Sequence, residues 1–156
     1  TYFENSRRAT LAQRAYCIAQ AGRFSNYGPL EWGITACDGP DGYSARGAPP
    51  AENDDGTLAP TAVGGSLPFA PEVCLPTLRQ LEQRYRDTLW GPYGFRDAFN
   101  RTRQWWATDT LGIDQGPIVL MIENHRTGAV WRRVTADPVI EKGLALAGFT
   151  PWKPDP

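Results

Sequence analysis

Apolar and polar positions fall along the chain in blocks that predict helices separated by long irregular stretches. Over residues 4–21, Ala9, Leu11, Ala12, Ala15, Tyr16, Ile18 and Ala19 give a broad apolar helical face, with Gly22 as the stop. Residues 23–59 read as loop, dense in Gly, Pro, Asp and Asn. A loop of that length in a compact domain is usually functional or disordered. The anchors Phe24, Tyr27, Leu30, Trp32, Ile34 and Tyr43 argue for order. A short helix is predicted over 60–66, opening at Pro60, and a clearer one over 70–88. In the latter, Val73, Leu75, Leu78, Leu81, Tyr85 and Leu89 share a face opposite Arg79, Glu82, Gln83, Arg86 and Asp87. Residues 90–109 are again irregular and aromatic, and a last amphipathic helix over 138–146 ends at Gly148 before a Pro-rich tail.

The most informative stretch is Gly112-Ile113-Asp114-Gln115-Gly116-Pro117, followed by Ile118, Val119, Leu120, Met121 and Ile122. Proline has no N–H to lose in a first helical turn, so a helix is predicted from Pro117 to about residue 131. It is apolar all round and therefore expected to be buried. Asp114 and Gln115 then lie in the turn at its mouth, facing an interior space. No β-period is legible, so the predicted fold class is all-α, built of antiparallel helix pairs. Alternating buried and half-exposed helices suggest a closed ring of helical hairpins, with the loops at one end forming a concave site.

Composition narrows the chemistry. A chain of 156 residues can bury one core, and its net charge of −1 gives no basis for electrostatic capture of nucleic acid or an anionic membrane. The apolar runs are too short to span a bilayer. The chain begins at Thr1 without methionine, and so reads as a fragment or a processed product. Cys17, Cys37 and Cys74 lack paired spacing and His125 is the single histidine, so no metal site is expected; three buried thiols acting as small hydrophobes fit better. No cofactor signature occurs: GxSxG, HExxH and the P-loop are all missing. His125 follows Asp114 by eleven positions, roughly 16 Å of helix rise, which suits packing or surface rather than catalysis.

Six Trp, six Tyr and six Phe accompany sixteen Gly and fourteen Pro, so the loops carry many of the aromatics. Carboxylates and amides recur beside them. Glu4-Asn5-Ser6-Arg7-Arg8 reads as a helix start capped by Asn5 or Ser6. The run from Trp32 to Tyr43 holds Asp38 and Asp41 among glycines, without calcium-loop spacing, so Asx-turns are its plain reading. Asp54-Asp55-Gly56-Thr57 is a turn before a helix. The loops Trp90-Gly91-Pro92-Tyr93-Gly94-Phe95, Asp97-Ala98-Phe99-Asn100 and Gly112-Ile113-Asp114-Gln115 combine acid, amide and ring, as sugar sites do. Phe95 and Phe99 are expected to be packing residues, and one of Trp105 and Trp106 is expected in the core.

Strings spread over the chain resemble the glycoamylase-like family, which includes bacterial endo-β-1,2-glucanases and domains of cyclic β-1,2-glucan synthases. They are Tyr2-Phe3-Glu4-Asn5-Ser6-Arg7-Arg8-Ala9-Thr10, Trp32-Gly33-Ile34-Thr35-Ala36 with Asp38-Gly39-Pro40-Asp41-Gly42-Tyr43, Asp54-Asp55-Gly56-Thr57, Gly91-Pro92-Tyr93-Gly94-Phe95, and Gly112-Ile113-Asp114-Gln115-Gly116-Pro117 with Ile122-Glu123-Asn124. The resemblance implies an (α/α)6 toroid of which residues 1–149 form the C-terminal portion and residues 150–156 a tail. It implies hydrolysis of β-glucan, most of all β-1,2-glucan, by inversion, with Asp114 as general base. Glu4 and Asp41 are runner-up acids, and the general acid is expected upstream of Thr1. Tyr27, Trp32, Asp41, Tyr93, Asp97 and Gln115 resemble sugar-contacting positions. His125 departs from the Tyr usual in relatives. An oligo- or polysaccharide substrate, a periplasmic or secreted location, and the N-terminal half of the barrel from the same gene product or another chain are implied as well. A retaining transglycosylase, a non-catalytic glucan-binding module and a structural domain are the competing readings.

Overall fold

In the computed structural model, which describes residues 1–150, helices occupy α1 (Tyr2–Ala19), α2 (Pro60–Gly64), α3 (Pro71–Arg84), α4 (Arg86–Leu89), α5 (Gly112–Thr127), α6 (Ala129–Thr135) and α7 (Pro138–Leu146). The tail predicted beyond residue 149 falls, from residue 151, outside the described residues. The regular structure is mainly helical, as predicted, with two short hairpins added. Strands β1 (Trp90–Gly91) and β2 (Gly94–Phe95) make one antiparallel hairpin, and β3 (Phe99–Asn100) and β4 (Trp105–Trp106) another. Two residues per strand leave no alternation to read in a sequence.

Helix α1 is capped by Thr1, whose hydroxyl accepts from the Glu4 N–H at 3.2 Å, and not by Asn5 or Ser6. The face it packs inward is only in part the predicted one: Leu11 and Tyr16 pack against the core, but the most buried positions are others. Thr10 and Cys17 are buried, with Gln13 and Arg14 half-buried between them, while Ala12, Ala15, Ile18 and Ala19 are exposed. The reason is the partner. The inward face meets a loop, whose backbone groups need hydrogen bonds once covered. Gln13 supplies two, donating from Nε2 to the Ile34 carbonyl at 2.8 Å and accepting the Ile34 N–H at 2.9 Å. Arg14 donates to the Pro29 carbonyl and Arg7 to that of Phe69.

The loop over 23–59 is ordered, anchored by Phe24, Tyr27, Trp32 and Ile34 in the core, whereas Leu30 and Tyr43, also expected as anchors, are exposed. Antiparallel bridges pin Gly28 to Glu31, Cys37 to Ser44, Gly47 to Glu52, and Leu58 to Phe99. The Asp54 carboxylate accepts the hydroxyls of Tyr16 at 2.6 Å and Tyr27 at 2.5 Å, and the Gly56 N–H at 3.2 Å. Asp55 accepts the Thr57 N–H, so the turn expected before α2 is built of two Asx-turns. Asp55 also takes the forked Arg46 guanidinium at 3.0 and 3.1 Å, while Arg46 gives a further N–H to the Cys37 carbonyl at 2.7 Å. With its side chain only 2% exposed, Arg46 holds together both ends of the inner loop.

The core gathers loop and helix residues alike: Trp32, Leu58, Val63, Leu67, Leu81, Leu89 and Phe99. Trp32 donates its indole N–H to the Thr77 hydroxyl at 2.8 Å, which lets a polar atom be buried without loss. The predicted helix over 70–88 is two helices, because Tyr85 (φ −121°) leaves helical geometry to bring its ring onto Phe99 and its hydroxyl to Glu31. The inward spacing of Cys74, Thr77 and Leu81 is helical, although the sequence pointed to Val73, Leu75 and Leu78, which are only half-buried. All three cysteines are free and buried, as expected. Trp105 and Trp106 face opposite ways, both half-buried: Trp106 packs on the main core, Trp105 on the cluster of Cys37, Ala59 and Ala98.

The helix predicted from Pro117 begins five residues earlier, at Gly112. The Leu111 carbonyl accepts both the Asp114 and Gln115 N–H groups at 3.1 Å, closing the first turn before the proline is reached. Pro117 is tolerated inside the helix because Gly116 has no Cβ to collide with the proline ring. At Gly128, in left-handed conformation (φ +67°), the chain breaks to start α6, and Asn124 ties the two helices by accepting the Trp131 N–H at 2.9 Å. Nor is α5 buried all round: Asp114, Ile118 and Asn124 are its buried residues, while Ile113, Val119 and Leu120 are 80%, 62% and 49% exposed. Its inner contact is with α2, where a Cβ on Gly64 would stand 2.6 Å from Ile118, so glycine is required for that approach.

Two arginine substitutions separate buried from surface pairing. Arg46→Met is expected to destabilise the chain by on the order of 2–4 kcal/mol, since it strands Asp55 and the Cys37 carbonyl. Arg103→Gln, which loses an exposed pair with Asp41, should cost under about 1 kcal/mol. Urea titration of both variants checks this; equal midpoints would contradict the role given to Arg46.

Candidate active site

Asp114 sits in the first turn of α5, where a carboxylate is favoured by the helix dipole. Its carbonyl accepts the Thr61 hydroxyl of α2 at 3.1 Å, which fixes the turn against that short core helix. The side chain is buried (7% exposed), and its Oδ2 has no hydrogen-bond partner. Beside it lies Asp97, 2% exposed, in hydrogen-bonding reach of the Asp114 carboxyl. Asp97 Oδ2 accepts the Asp38 N–H at 2.8 Å, and the Asp97 N–H is given to the Asp109 carbonyl at 3.1 Å.

Three acids from three segments thus meet at one helix N-terminus. Asp38 is held by the Cys37–Ser44 bridge, Asp97 by the start of the β3–β4 hairpin, and Asp114 by α5. Burial, then the charge and hydrogen bond of Asp97, then the charge of Asp38, push Asp114 up to about 6 from an ordinary value of 3.8. Burial also raises Asp97, against the Asp38 N–H that favours its charged form. Two carboxylates in contact repel unless a proton lies between them. Near neutrality the arrangement therefore offers an ionised carboxylate of unusual basicity with one buried oxygen that no protein donor satisfies, a combination suited to proton abstraction from a bound water.

Gln115, the next residue, donates from Nε2 to the Phe95 carbonyl at 2.7 Å. Its Oε1 also lies 2.6 Å from where a Cβ on Gly94 would be, at a φ of +103°. Glycine at 94 thus admits both the hairpin turn and the Gln115 amide. The result is a brace that holds the β1–β2 hairpin beside the Asp114 turn. At the hairpin tip, Tyr93 is 79% exposed, free to lie along a sugar face.

The other residues singled out from sequence are placed differently. Tyr27 and Trp32 are core residues, 5% and 1% exposed, with their polar atoms given to Asp54 and Thr77 rather than left free for sugar hydroxyls. Asp97 is likewise too buried for a hydroxyl ligand and faces Asp114 instead. The Gln115 amide nitrogen is engaged by Phe95, so its task is bracing. Asp41 is exposed and paired with Arg103 at the loop surface. Glu4 is exposed and paired with Arg8 at 3.0 Å. Its neighbour Phe3 packs on Trp131, which lies beyond the C-terminal end of α5. Asp114 is at the other end of that helix, so Glu4 is not a catalytic partner for it. Asp38 was read only as part of a turn; its approach to Asp97 joins residues 59 apart, and no local pattern signals it. His125 is exposed. No group of three or more His, Cys, Asp or Glu able to hold a metal ion occurs among the described residues, and no helix there is long and apolar enough to cross a membrane.

The chain matches known proteins in sequence and in fold. The family model named Glycoamylase, described as "Putative glucoamylase", matches residues 1–138. The chain belongs to this family. A curated relative from Parabacteroides distasonis, an exo beta-1,2-glucooligosaccharide sophorohydrolase acting at the non-reducing end, is 38% identical over 143 residues, 92% of this chain and 20% of its own length. An endo-beta-1,2-glucanase from Chitinophaga pinensis, solved with sophorotriose and glucose, is 38% identical with a TM-score of 0.85, covering 92% of this chain and 34% of that one. A Bacteroides fragilis structure described as a putative glucoamylase is 42% identical with a TM-score of 0.91, covering 98% and 36%. The chain therefore spans a fifth to about a third of the length of these relatives.

The raised Asp114 has a consequence for stability. A carboxyl that is more basic in the folded state contributes stability that is full below its unfolded value and is lost as pH rises through about 6. Asp114→Asn removes this cost, so the variant should be more stable than the parent at pH 7 by about 1–2 kcal/mol. The difference should close below about pH 4, where the parent carboxyl is protonated. Thermal melts across this range check it; a variant less stable at pH 7 would show that ionised Asp114 supports the fold.

Proposed function

We propose that this chain is the part of a β-1,2-glucan hydrolase that carries the general base, Asp114. The observation that carries the reading is the buried, partnerless Oδ2 at the start of α5, on a carboxyl whose surroundings raise its basicity. The sophorohydrolase and endo-glucanase activities printed for relatives support β-1,2-linked glucose as the substrate class. Placement in the periplasm or outside the cell belongs to the same reading and rests on family resemblance.

In the proposed reaction, water held at Asp114 Oδ2 attacks the anomeric carbon from the face opposite the leaving oxygen. One water proton passes to Asp114 as the new C–O bond forms and the glycosidic C–O bond breaks. The leaving oxygen takes its proton from a second carboxylic acid. That acid is assigned to the portion of the relatives' length outside this chain, since Glu4 lies at the wrong end of α5 and Asp97 is buried behind Asp114.

The same portion would complete an (α/α)6 toroid. Its support is the exposed apolar surface of α5, with Ile113, Val119 and Leu120, and of α1, with Tyr2 and Ile18. Such apolar area on two helices is suited to burial by neighbouring helices.

Tested in the full-length protein on β-1,2-glucan, Asp114→Asn should lower kcat by about 10²–10⁴-fold with KM little changed. Proton NMR of the fresh product should show the α-anomer first, as inversion of a β-linkage requires. Full turnover in the variant would remove Asp114 as base. Saturable oligosaccharide binding with no product in the parent would make the chain part of a binding module.

A further inference from the structure

We infer that Asp97 is the positioning residue of Asp114: a buried second carboxyl, anchored on one oxygen by the Asp38 backbone N–H, that sits against the Asp114 carboxyl and sets its orientation and basicity. This rests on the reading of Asp114 as the general base.

The geometry carries it. Asp97 is almost inaccessible, so its carboxyl cannot serve substrate. Its Oδ2 is taken by Asp38 at 2.8 Å, and its backbone is fixed by Asp109. The next residue, Ala98, accepts the Ala107 N–H at 2.9 Å, and Phe99 bridges to Leu58 in both directions at 2.9 Å. The Asp97 side chain is therefore held by a rigid hairpin root. The Asp114 carboxyl lies against Asp97, and its buried Oδ2 takes a hydrogen bond from no protein donor. A fold that merely tolerated a buried acid would pair it with a cation. Here Arg46 is engaged by Asp55 and the Cys37 carbonyl and acts on Asp97 only at a distance.

The groups bearing on the pair are Asp38, Cys37 and Arg46 from the long loop. The α2 residue Thr61 contributes a neutral hydroxyl, and that to the Asp114 carbonyl. Cys37 is pushed up to about 12 by burial, so it stays a neutral thiol through the working range. Asp38 and Asp97 are thus the negative neighbours that make Asp114 a stronger base, and Asp97 is the one in contact with it.

Asp97→Asn keeps the shape. Its amide oxygen can accept the Asp38 N–H, and its NH2 can donate to Asp114. The repulsive charge is replaced by a donor, which stabilises ionised Asp114 and weakens it as a base. In the full-length protein, the acidic limb of kcat/KM against pH should move down by about one pH unit, and kcat should fall about tenfold. A loss of activity with the acidic limb unmoved would overturn the proposal, because that is what a purely structural role gives.

A second measurement needs neither the variant nor catalysis. Carbon-13 carboxyl NMR of the parent should show the Asp97 and Asp114 resonances each responding to two linked protonation steps. Independent single-step titration of the two would overturn the pairing. If the linked steps appear but no glucan is hydrolysed, the hydrolase reading fails and the pairing stands.

Discussion

The contact between the Asp97 and Asp114 carboxyl groups constrains everything placed around it. Each acid comes from a different segment, and Asp38, from a third, binds Asp97 through its N–H. Bringing like charges together costs free energy unless they share a proton or the surroundings hold them rigid. The structure supplies rigidity. Arg46 clamps the loop that carries Asp38, the β3–β4 hairpin roots Asp97, and α2 grips the turn of Asp114 through Thr61. The strain expected of a buried acid pair is met by fastening backbone on every side. Functional sites commonly tolerate such local cost where the fold around them is over-determined.

The long loop explains why this can be done in a chain with so little regular structure. Residues 23–59 contribute Trp32 and Leu58 to the core and Asp38 to the acid cluster. Their backbone groups are satisfied by four bridges and by side chains of α1, among them Gln13 and Arg14. A helix that packs on such a loop must turn a polar stripe inward. Its small and apolar residues then face outward, where Ala12, Ala15 and Ile18 are found. The exposed stripe of α5 has the same consequence. Both helices present surfaces fit for further helices, in keeping with relatives that are about three times as long or longer.

Much of this was legible in the sequence, and the failures have physical causes. Pro138 and Gly148 bounded the last helix correctly because proline start and glycine stop act locally. Asp54 and Asp55 made the turns expected of them, for the same reason. Asp114 stood out because it lies between glycines before an apolar run. The start of its helix was misplaced because Gly116 relieves the restriction that a proline usually imposes. Tyr27 and Trp32 resembled sugar-binding aromatics, yet Asp54 and Thr77 give their polar atoms partners inside the core, a fact set by contacts 27 and 45 residues away. The role of Asp97 was hidden for a similar reason: only folding brings it to Asp114.

The central claim is that Asp114 Oδ2 is kept free of protein partners so that it can hold the attacking water. A crystal structure of the full-length protein, inactivated at its general acid and bound to a β-1,2-glucooligosaccharide, tests this most directly. The account predicts an ordered water within hydrogen-bonding distance of Asp114 Oδ2, on the face of the anomeric carbon opposite the leaving oxygen. A protein side chain or a sugar hydroxyl occupying that oxygen, with no water in line for attack, would contradict it.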